Sequence, residues 1–164
     1  MSKELTVAGD VFNYPENRES PGWGEEASSW AEAVTDVLAN VAGEGDILQT
    51  SASLSNNIAA LTSINGFAFD PAVVRGAVAE FSIYRVTLET SLGAADGQER
   101  VETGVLYIGS KSSAGSFEMS QAGSGGSGVT LSITSAGQIQ YTSDSMTGIN
   151  HSGVIKFRAR ALTI

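Results

Sequence analysis

The stretch VVRGAVAEFSIYRVTL, residues 73–88, decides the fold class of this chain. Val, Ile, Phe and Tyr dominate it, and these residue types favour the pleated, half-buried environment of a β-strand. Gly76 interrupts the stretch near its start, where we expect a bulge or a bend. The turn at Ala95-Asp96-Gly97 follows, and Asp-Gly is a strong hairpin signal. Residues 100–108 then predict a returning strand, so the two strands are expected to pair.

Alternation of apolar and polar residues continues towards the C-terminus. Residues 116–121 predict a third strand, residues 123–128 a Gly/Ser loop, and residues 129–141 a second hairpin that turns at Ser135-Ala136-Gly137. Residues 154–162 predict a last strand with one apolar and one basic face. Strands joined by short turns predict a mainly β fold, an antiparallel β-sandwich or a small barrel, over residues 71–164.

Residues 43–70 precede this β-domain and are interpreted as a connector. They begin with the turn Gly43-Glu44-Gly45-Asp46, and Ile47-Leu48 starts a short strand at most. The rest is rich in Ser and Asn among small apolar residues. No Gly-Lys-Ser/Thr follows the glycines, so no phosphate-binding loop is predicted.

One amphipathic helix is predicted over residues 25–42. Glu25 and Glu26 lie in its first turn, where carboxylates favour the helix dipole, and Gly43 is a natural stop. Its apolar residues follow the spacing 3, 4, 3, 4 of an oligomerisation seam, which Leu38 widens: Ala27, Trp30, Val34, Val37 and Val41. A helix this short needs a partner face. Either three chains join their seams, or the stripe lies on the strand domain.

Residues 1–24 predict an extended N-terminal arm. Its aromatic residues Phe12, Tyr14 and Trp23 are interleaved with prolines and glycines, and proline disfavours helical angles in the residue before it. Aromatic anchors on such an arm are a common way to grip a larger partner. Folding of the arm back onto the core of its own domain is the alternative.

Composition limits the possible partners of the protein and the compartment in which it is made. The 164 residues carry a net charge of -9, which disfavours binding to nucleic acid or to an anionic membrane. There is no cysteine, so stability must come from packing or from oligomerisation. The first residues lack the apolar core of a signal peptide, and no apolar run is long enough to span a bilayer. We expect a protein made in a cytoplasm, and a route out of the cell that needs no signal peptide, such as a virus particle, stays open.

Candidate chemistry is sparse, and we predict no catalytic residue, cofactor or metal site. His151 is expected in a turn before the last strand. Asp144 lacks the additional oxygen ligands of a calcium loop. Among the glutamates, two of the four residues Glu80, Glu89, Glu99 and Glu102 could face each other as a glycosidase requires, but no spacing selects a pair. The strongest charged candidate is the basic row Lys156, Arg158 and Arg160, predicted to contact carboxylates of a partner or to lie solvated beside its own glutamates.

Two segments near the N-terminus and three in the β-domain carry a resemblance to a known class of proteins. At the N-terminus these are SPGWGEE (residues 20–26) and WAEAVT (30–35). In the β-domain they are FSIYR (81–85), LSITSAGQIQY (131–141) and IKFRARA (155–161). These segments resemble those of small structural proteins of tailed phages. The resemblance implies a non-enzymatic component of the virion, made in the host cytoplasm and often trimeric, on the capsid surface or in a fibre. It supplies no catalytic residues.

These features lead to hypotheses in three classes, namely a virion structural protein, a binding module and an enzyme. The first is a homotrimeric capsid decoration or cement protein, with Val34, Val37 and Val41 near its axis and an arm bound to the major capsid protein. Its close rival is a short tail or head fibre that joins a tail protein and touches a host surface glycan. The second class is a free carbohydrate-binding module that would use Tyr84, Tyr107 and Tyr141. A glycan hydrolase acting through Glu80 or Glu102 is the third.

Overall fold

The computed structural model describes residues 3–7, 10–14, 29–32, 34, 43–111 and 116–164. The chain divides into two compact units, Met1–Gly43 and Glu44–Ile164. In the first unit, strands β1 (Lys3–Val7) and β2 (Asp10–Tyr14) pair antiparallel. Residues 29–32 and 34 are helical, inside the predicted helix. The rest of that helix and of the predicted arm lies outside the described residues.

The described residues of the second unit, 44–111 and 116–164, form eight strands in two antiparallel sheets. In chain order they are β3 (Ile47–Ser53), β4 (Ile58–Ala68), β5 (Val74–Leu88), β6 (Glu99–Lys111), β7 (Ser116–Gly125), β8 (Val129–Ile133), β9 (Gln138–Ser143) and β10 (Ile149–Thr163). The five-stranded sheet has the order β3-β10-β5-β6-β7, and the three-stranded sheet has the order β4-β9-β8. The predicted mainly β, sandwich-like fold is confirmed.

The core forms where the alternating apolar residues of the two sheets meet. Along β5, Ala77, Ala79, Phe81 and Ile83 are buried, while the residues between them point outward. Phe67 from the three-stranded sheet stacks on Phe157 from the five-stranded sheet, with ring centroids 4.0 Å apart. Burial of aromatic rings is a major part of core energetics, so this stack is a central contact between the layers.

Both predicted hairpins are present. Strands β5 and β6 pair from Gly76↔Gly109 to Val86↔Glu99, and β8 pairs with β9 from Val129↔Ser143 to Ile133↔Ile139. Next to Gly76 the register between β5 and β10 shifts, in agreement with the predicted bulge.

The predicted connector over residues 43–70 is wrong, because this segment supplies two strands and part of the core. Ile64, Phe67 and Phe69 are buried at 1%, 0% and 2% exposure. Strand β4 pairs with β9 through two register shifts, which break the simple alternation of apolar and polar residues. The Ser- and Asn-rich composition therefore reflects exposed positions of edge strands and their turn.

Two smaller predictions also need correction. Strand β7 extends to Gly125, through part of the segment predicted as a Gly/Ser loop. A Cβ at Gly123 would lie only 2.7 Å from the Thr103 carbonyl oxygen, so glycine permits close pairing with β6. His151 lies inside β10 rather than in a turn before it.

We expect Gly137→Ala to destabilise the sandwich more than Gly66→Ala. Both glycines have positive φ, +87° and +75°, so both substitutions impose backbone strain of about 1–2 kcal/mol. At Gly137 the new Cβ would also lie 2.1 Å from the Phe69 carbonyl oxygen, whereas nothing lies within 4 Å at Gly66. Urea unfolding of both variants gives the comparison. Equal losses would show that the backbone at Gly137 relaxes freely.

Candidate functional site

The outer face of the five-stranded sheet displays the predicted basic row. Lys156, Arg158 and Arg160 are exposed on β10, opposite to the buried Ile155, Phe157 and Ala159, as predicted. Arg158 pairs with Glu80 on β5, at 2.6 Å from Nε and 2.5 Å from Nη2 to Glu80 Oε2. Lys156 and Arg160 form no ion pair with another described residue, so they are the two cations of the row that remain open to a partner.

A shallow groove lies beside this row on the same face, and we call it the Tyr107 groove. Its floor is the glycine pair Gly76↔Gly109, and a Cβ at Gly109 would meet nothing within 4 Å. Its walls are Val78, Tyr107 and Leu162, of which Tyr107 is 52% and Leu162 72% exposed. The groove encloses about 310 Å³. Three large apolar side chains therefore surround a floor without side chains.

The aromatic residues proposed for sugar binding do not form one surface. Tyr84 and Tyr107 are exposed on the outer face of the five-stranded sheet. Tyr141 is buried at 3% exposure on β9, and its hydroxyl accepts a hydrogen bond from the Ser55 N–H at 3.0 Å. The prediction for Tyr141 is therefore wrong, because its ring belongs to the core and its hydroxyl holds the turn between β3 and β4.

The predicted oligomer interface and attachment arm are described only in part. Trp30 is 44% exposed and Val34 is half-buried. Val37, Leu38 and Val41 lie outside the described residues, as does Trp23. Phe12 and Tyr14 belong to β2, for which the backbone alone is described. The roles assigned to these side chains remain predictions.

Arg85, which sequence reasoning did not select, organises one end of the sandwich. It is fully buried, at 0% exposure, although burial of arginine is rare. Its guanidinium donates to the Asp144 carbonyl at 2.7 Å, to the Ser127 carbonyl at 2.8 Å and to Asn56 Oδ1 at 2.9 Å. Arg85 thus ties three loops to β5. Burial, followed by repulsion from Arg100, lowers the pKa of Arg85.

His151 is part of this buried cluster rather than a surface turn residue. The Arg85 Nε–H donates to His151 Nε2 at 3.4 Å, which requires a neutral imidazole with its proton on Nδ1. Burial lowers the pKa of His151, and the Arg85 charge lowers that pKa further. His151 Nε2, the ring nitrogen without a proton, therefore already accepts a hydrogen bond from the Arg85 guanidinium and is not free to act as a base.

The lowered pKa of His151 predicts a loss of stability in weak acid. In the unfolded chain, His151 binds a proton near the ordinary pKa of 6.5, whereas in the folded chain it stays neutral at that pH. The free energy of unfolding should therefore fall as the pH decreases from about 7.5 to about 5.5, above the titration of ordinary carboxylates. Denaturant unfolding over this range should show a weaker pH dependence for His151→Gln, which keeps an acceptor for Arg85. An unchanged slope would contradict the assignment.

Glu80 and Glu102, the two glutamates named for a glycan hydrolase, lie on opposite faces of the sheet. Glu80 points outward to Arg158. Glu102 stands opposite the buried Ile83, and its Oε2 accepts from the Ser127 hydroxyl at 2.5 Å. Glu80 and Glu102 therefore do not act on one substrate bond. Among the described residues, no group of three or more histidines and carboxylates could hold a metal ion.

In the part of the chain that the structure describes, no helix has the length and apolar character to cross a bilayer.

No protein-family model and no curated protein matches the sequence. Among solved structures, the Acinetobacter phage vB_ApiP_P1 tailspike protein aligns over 70% of this chain with 14% identity and a TM-score of 0.38. The chain spans 22% of the length of that protein. At this score the likeness supports no conclusion about function.

Proposed function

We propose that the protein is a non-enzymatic structural component of a tailed-phage virion, in the form of a homotrimeric capsid decoration or cement protein. The observation that carries the proposal is the exposure of Trp30. This large apolar residue of the predicted seam is 44% exposed on a helix, in a segment with the spacing of a self-associating stripe. A helix of this length is marginal alone, and a shared seam between three chains would cover Trp30.

The rest of the chain fits attachment and display. The N-terminal arm binds the major capsid protein, and the sandwich presents its outer face with Lys156 and Arg160. On a chain of net charge -9, these two cations are a local site for carboxylates of a neighbouring protein. The hydrogen bond from Arg85 Nε to His151 Nε2 argues against a reaction in which His151 acts as a base. The segments that resemble tailed-phage structural proteins support a place in the virion.

Sedimentation of the full chain tests the trimer. The unmodified protein should sediment with a mass that is a multiple of three chains, and Val34→Asp should abolish the three-chain unit, because a carboxylate cannot be buried in an apolar seam without a large cost. Leu162→Asp, a change at an exposed position on the sandwich, is the matched control and should leave the mass unchanged. A single-chain mass for the unmodified protein at high concentration would overturn the seam.

Removal of residues 1–24 tests attachment separately. The truncated protein should keep its trimer mass and lose binding to phage particles, measured by co-sedimentation with heads that lack this protein. Electron microscopy of decorated particles then gives the location. Retained particle binding would contradict an attachment arm.

The Tyr107 groove favours a second candidate function, a short fibre or a free module that binds a host surface glycan. An exposed tyrosine beside an open glycine floor offers a flat apolar platform with polar groups at its rim. Binding on a glycan array that is abolished by Tyr107→Ala and kept by Tyr84→Ala would support it. Binding that is insensitive to Tyr107 would exclude this groove.

A further inference from the structure

One lateral side of the sandwich is formed by two edge strands that follow each other in the chain. Strand β3 is the edge of the five-stranded sheet, and β4 is the edge of the three-stranded sheet. We call this the open side. An edge strand presents unpaired backbone N–H and C=O groups, and it is a template for pairing with another chain.

The open side lacks two of the usual protections of edge strands, namely charged residues and short length. Every residue between Asp46 and Asp70 is uncharged, and none is proline. Strand β4 is 11 residues long. On the opposite side, β7 carries Glu118 in an ion pair with Lys111, and β8 has only 5 residues. Charge and short length are two means by which monomeric sheets prevent edge pairing, and the open side has neither.

The core is also incompletely closed on this side. Thr62 stands opposite the buried Tyr141, and Thr50 stands opposite the buried Phe157, so both threonines point inward. Both are nevertheless exposed, as are all residues from 59 to 63. Leu61, on the outward face of β4, is 60% exposed. A strand exposed on both faces has room for a neighbour along its edge and over its side chains.

We infer that the open side is a contact with a second copy of this chain, in which β4 pairs antiparallel with β4 of the partner. The lack of charge on the open side favours a second copy of this chain as the partner. Two copies that each carry a net charge of -9 repel each other, and a long uncharged edge allows close approach with little added repulsion. A two-fold axis presents the same surface on both chains, so one uncharged strand supplies both halves of the contact.

This contact is separate from the helix seam and does not depend on it. The proposed function places three copies around the helices, whereas the open side joins copies in twos. A chain with both a three-fold and a two-fold contact builds a closed shell or an extended net. Such an arrangement suits a protein that covers a particle surface.

The absence of cysteine permits a direct test in the full chain. Leu61→Cys places a single thiol on β4, and Ser120→Cys places one on the exposed outer face of β7, the opposite edge of the same sandwich. A short bis-maleimide is added to each protein over a range of concentrations. We expect linked dimers with Leu61→Cys and only unlinked chains with Ser120→Cys.

The fraction of Leu61→Cys chains that become linked identifies the symmetry of the contact. Pairing in twos allows every chain to be linked, whereas proximity around a three-fold axis leaves one chain of every three unlinked. Linking should persist when Val34→Asp is added, so a failure of the helix seam and a failure of the open side give different results. Addition of Thr62→Lys to the Leu61→Cys protein should suppress linking, because it places like charges across the edge.

Two results would overturn the inference. Equal linking by the two cysteine variants would indicate random collision. Protection of the Leu61→Cys thiol from a monofunctional maleimide, without formation of dimers, would show that another segment or another protein covers the open side.

Discussion

Arg85→Met is expected to lower the free energy of unfolding by about 3 kcal/mol or more, because hydrogen bonds made by a charged group contribute about 1.5–3 kcal/mol each. The substitution keeps an unbranched side chain of similar reach but removes every donor. The Ser127 and Asp144 carbonyls and Asn56 Oδ1 would all lose the Arg85 guanidinium. These acceptors belong to three different loops, so we expect one end of the sandwich to loosen. Chemical denaturation measures the loss, and hydrogen exchange of residues 126–128 and 144–146 locates it.

Arg100→Met is the matched control for this prediction. Arg100 lies near the same cluster, but its Nη1 is 3.9 Å from Asp144 Oδ2, and the Asp144 side chain is 73% exposed. Exposed pairs contribute about 0–1 kcal/mol, and loss of Arg100 also removes repulsion of Arg85. The control should therefore unfold close to the unmodified protein. Similar losses for Arg85→Met and Arg100→Met would refute a special role for Arg85.

Phe67→Ala should cost about 3–5 kcal/mol, the usual range for removal of a fully buried aromatic ring. Phe67 is 0% exposed and stacks on Phe157, with ring planes inclined by 7°. Its loss leaves a cavity between the two sheets and removes the ring contact. Equilibrium unfolding in urea gives the free energy, and Phe67→Leu should retain part of it because Leu fills some of the space.

Tyr107→Ala is a suitable control, since this aromatic residue is 52% exposed and its removal should change stability by less than about 0.5 kcal/mol. The comparison also tests the assignment of residues 58–68 to a strand. If Phe67→Ala were as mild as Tyr107→Ala, β4 would not belong to the core, and the connector predicted from the sequence would be restored.

Much of the fold was predictable because it depends on local alternation. In β5 and β10 apolar residues recur at every second position, and this period places Phe81 and Phe157 on an inner face without knowledge of the partner strand. The turn signals around Asp96-Gly97 and Gly137 join neighbouring strands, so both hairpins follow from short-range information. The outward direction of Lys156, Arg158 and Arg160 follows from the same period.

Strand β4 was missed because its register is not local. Its pairing with β9 shifts twice, and Ile64, Phe67 and Phe69 do not follow a continuous alternation. Ser and Asn are weak strand formers in this context, and only burial against the other sheet makes the segment a strand. For the buried cluster around Arg85, the sequence did contain a signal. Arg85 follows Phe81 and Ile83 at an inward position of β5. An arginine in the apolar half of a strand predicts buried acceptors from elsewhere in the chain.

The sequence by itself determined the class of the second unit, its two hairpins and the basic outer row, since these depend on a two-residue period and on turn chemistry between neighbours in the chain. Tertiary structure alone decided the assignment of β4 to the core, the separation of Tyr141 from Tyr107, and the capture of His151 by Arg85. Each of these joins residues far apart in sequence, and burial and hydrogen-bond satisfaction select such contacts only when both sheets are in place.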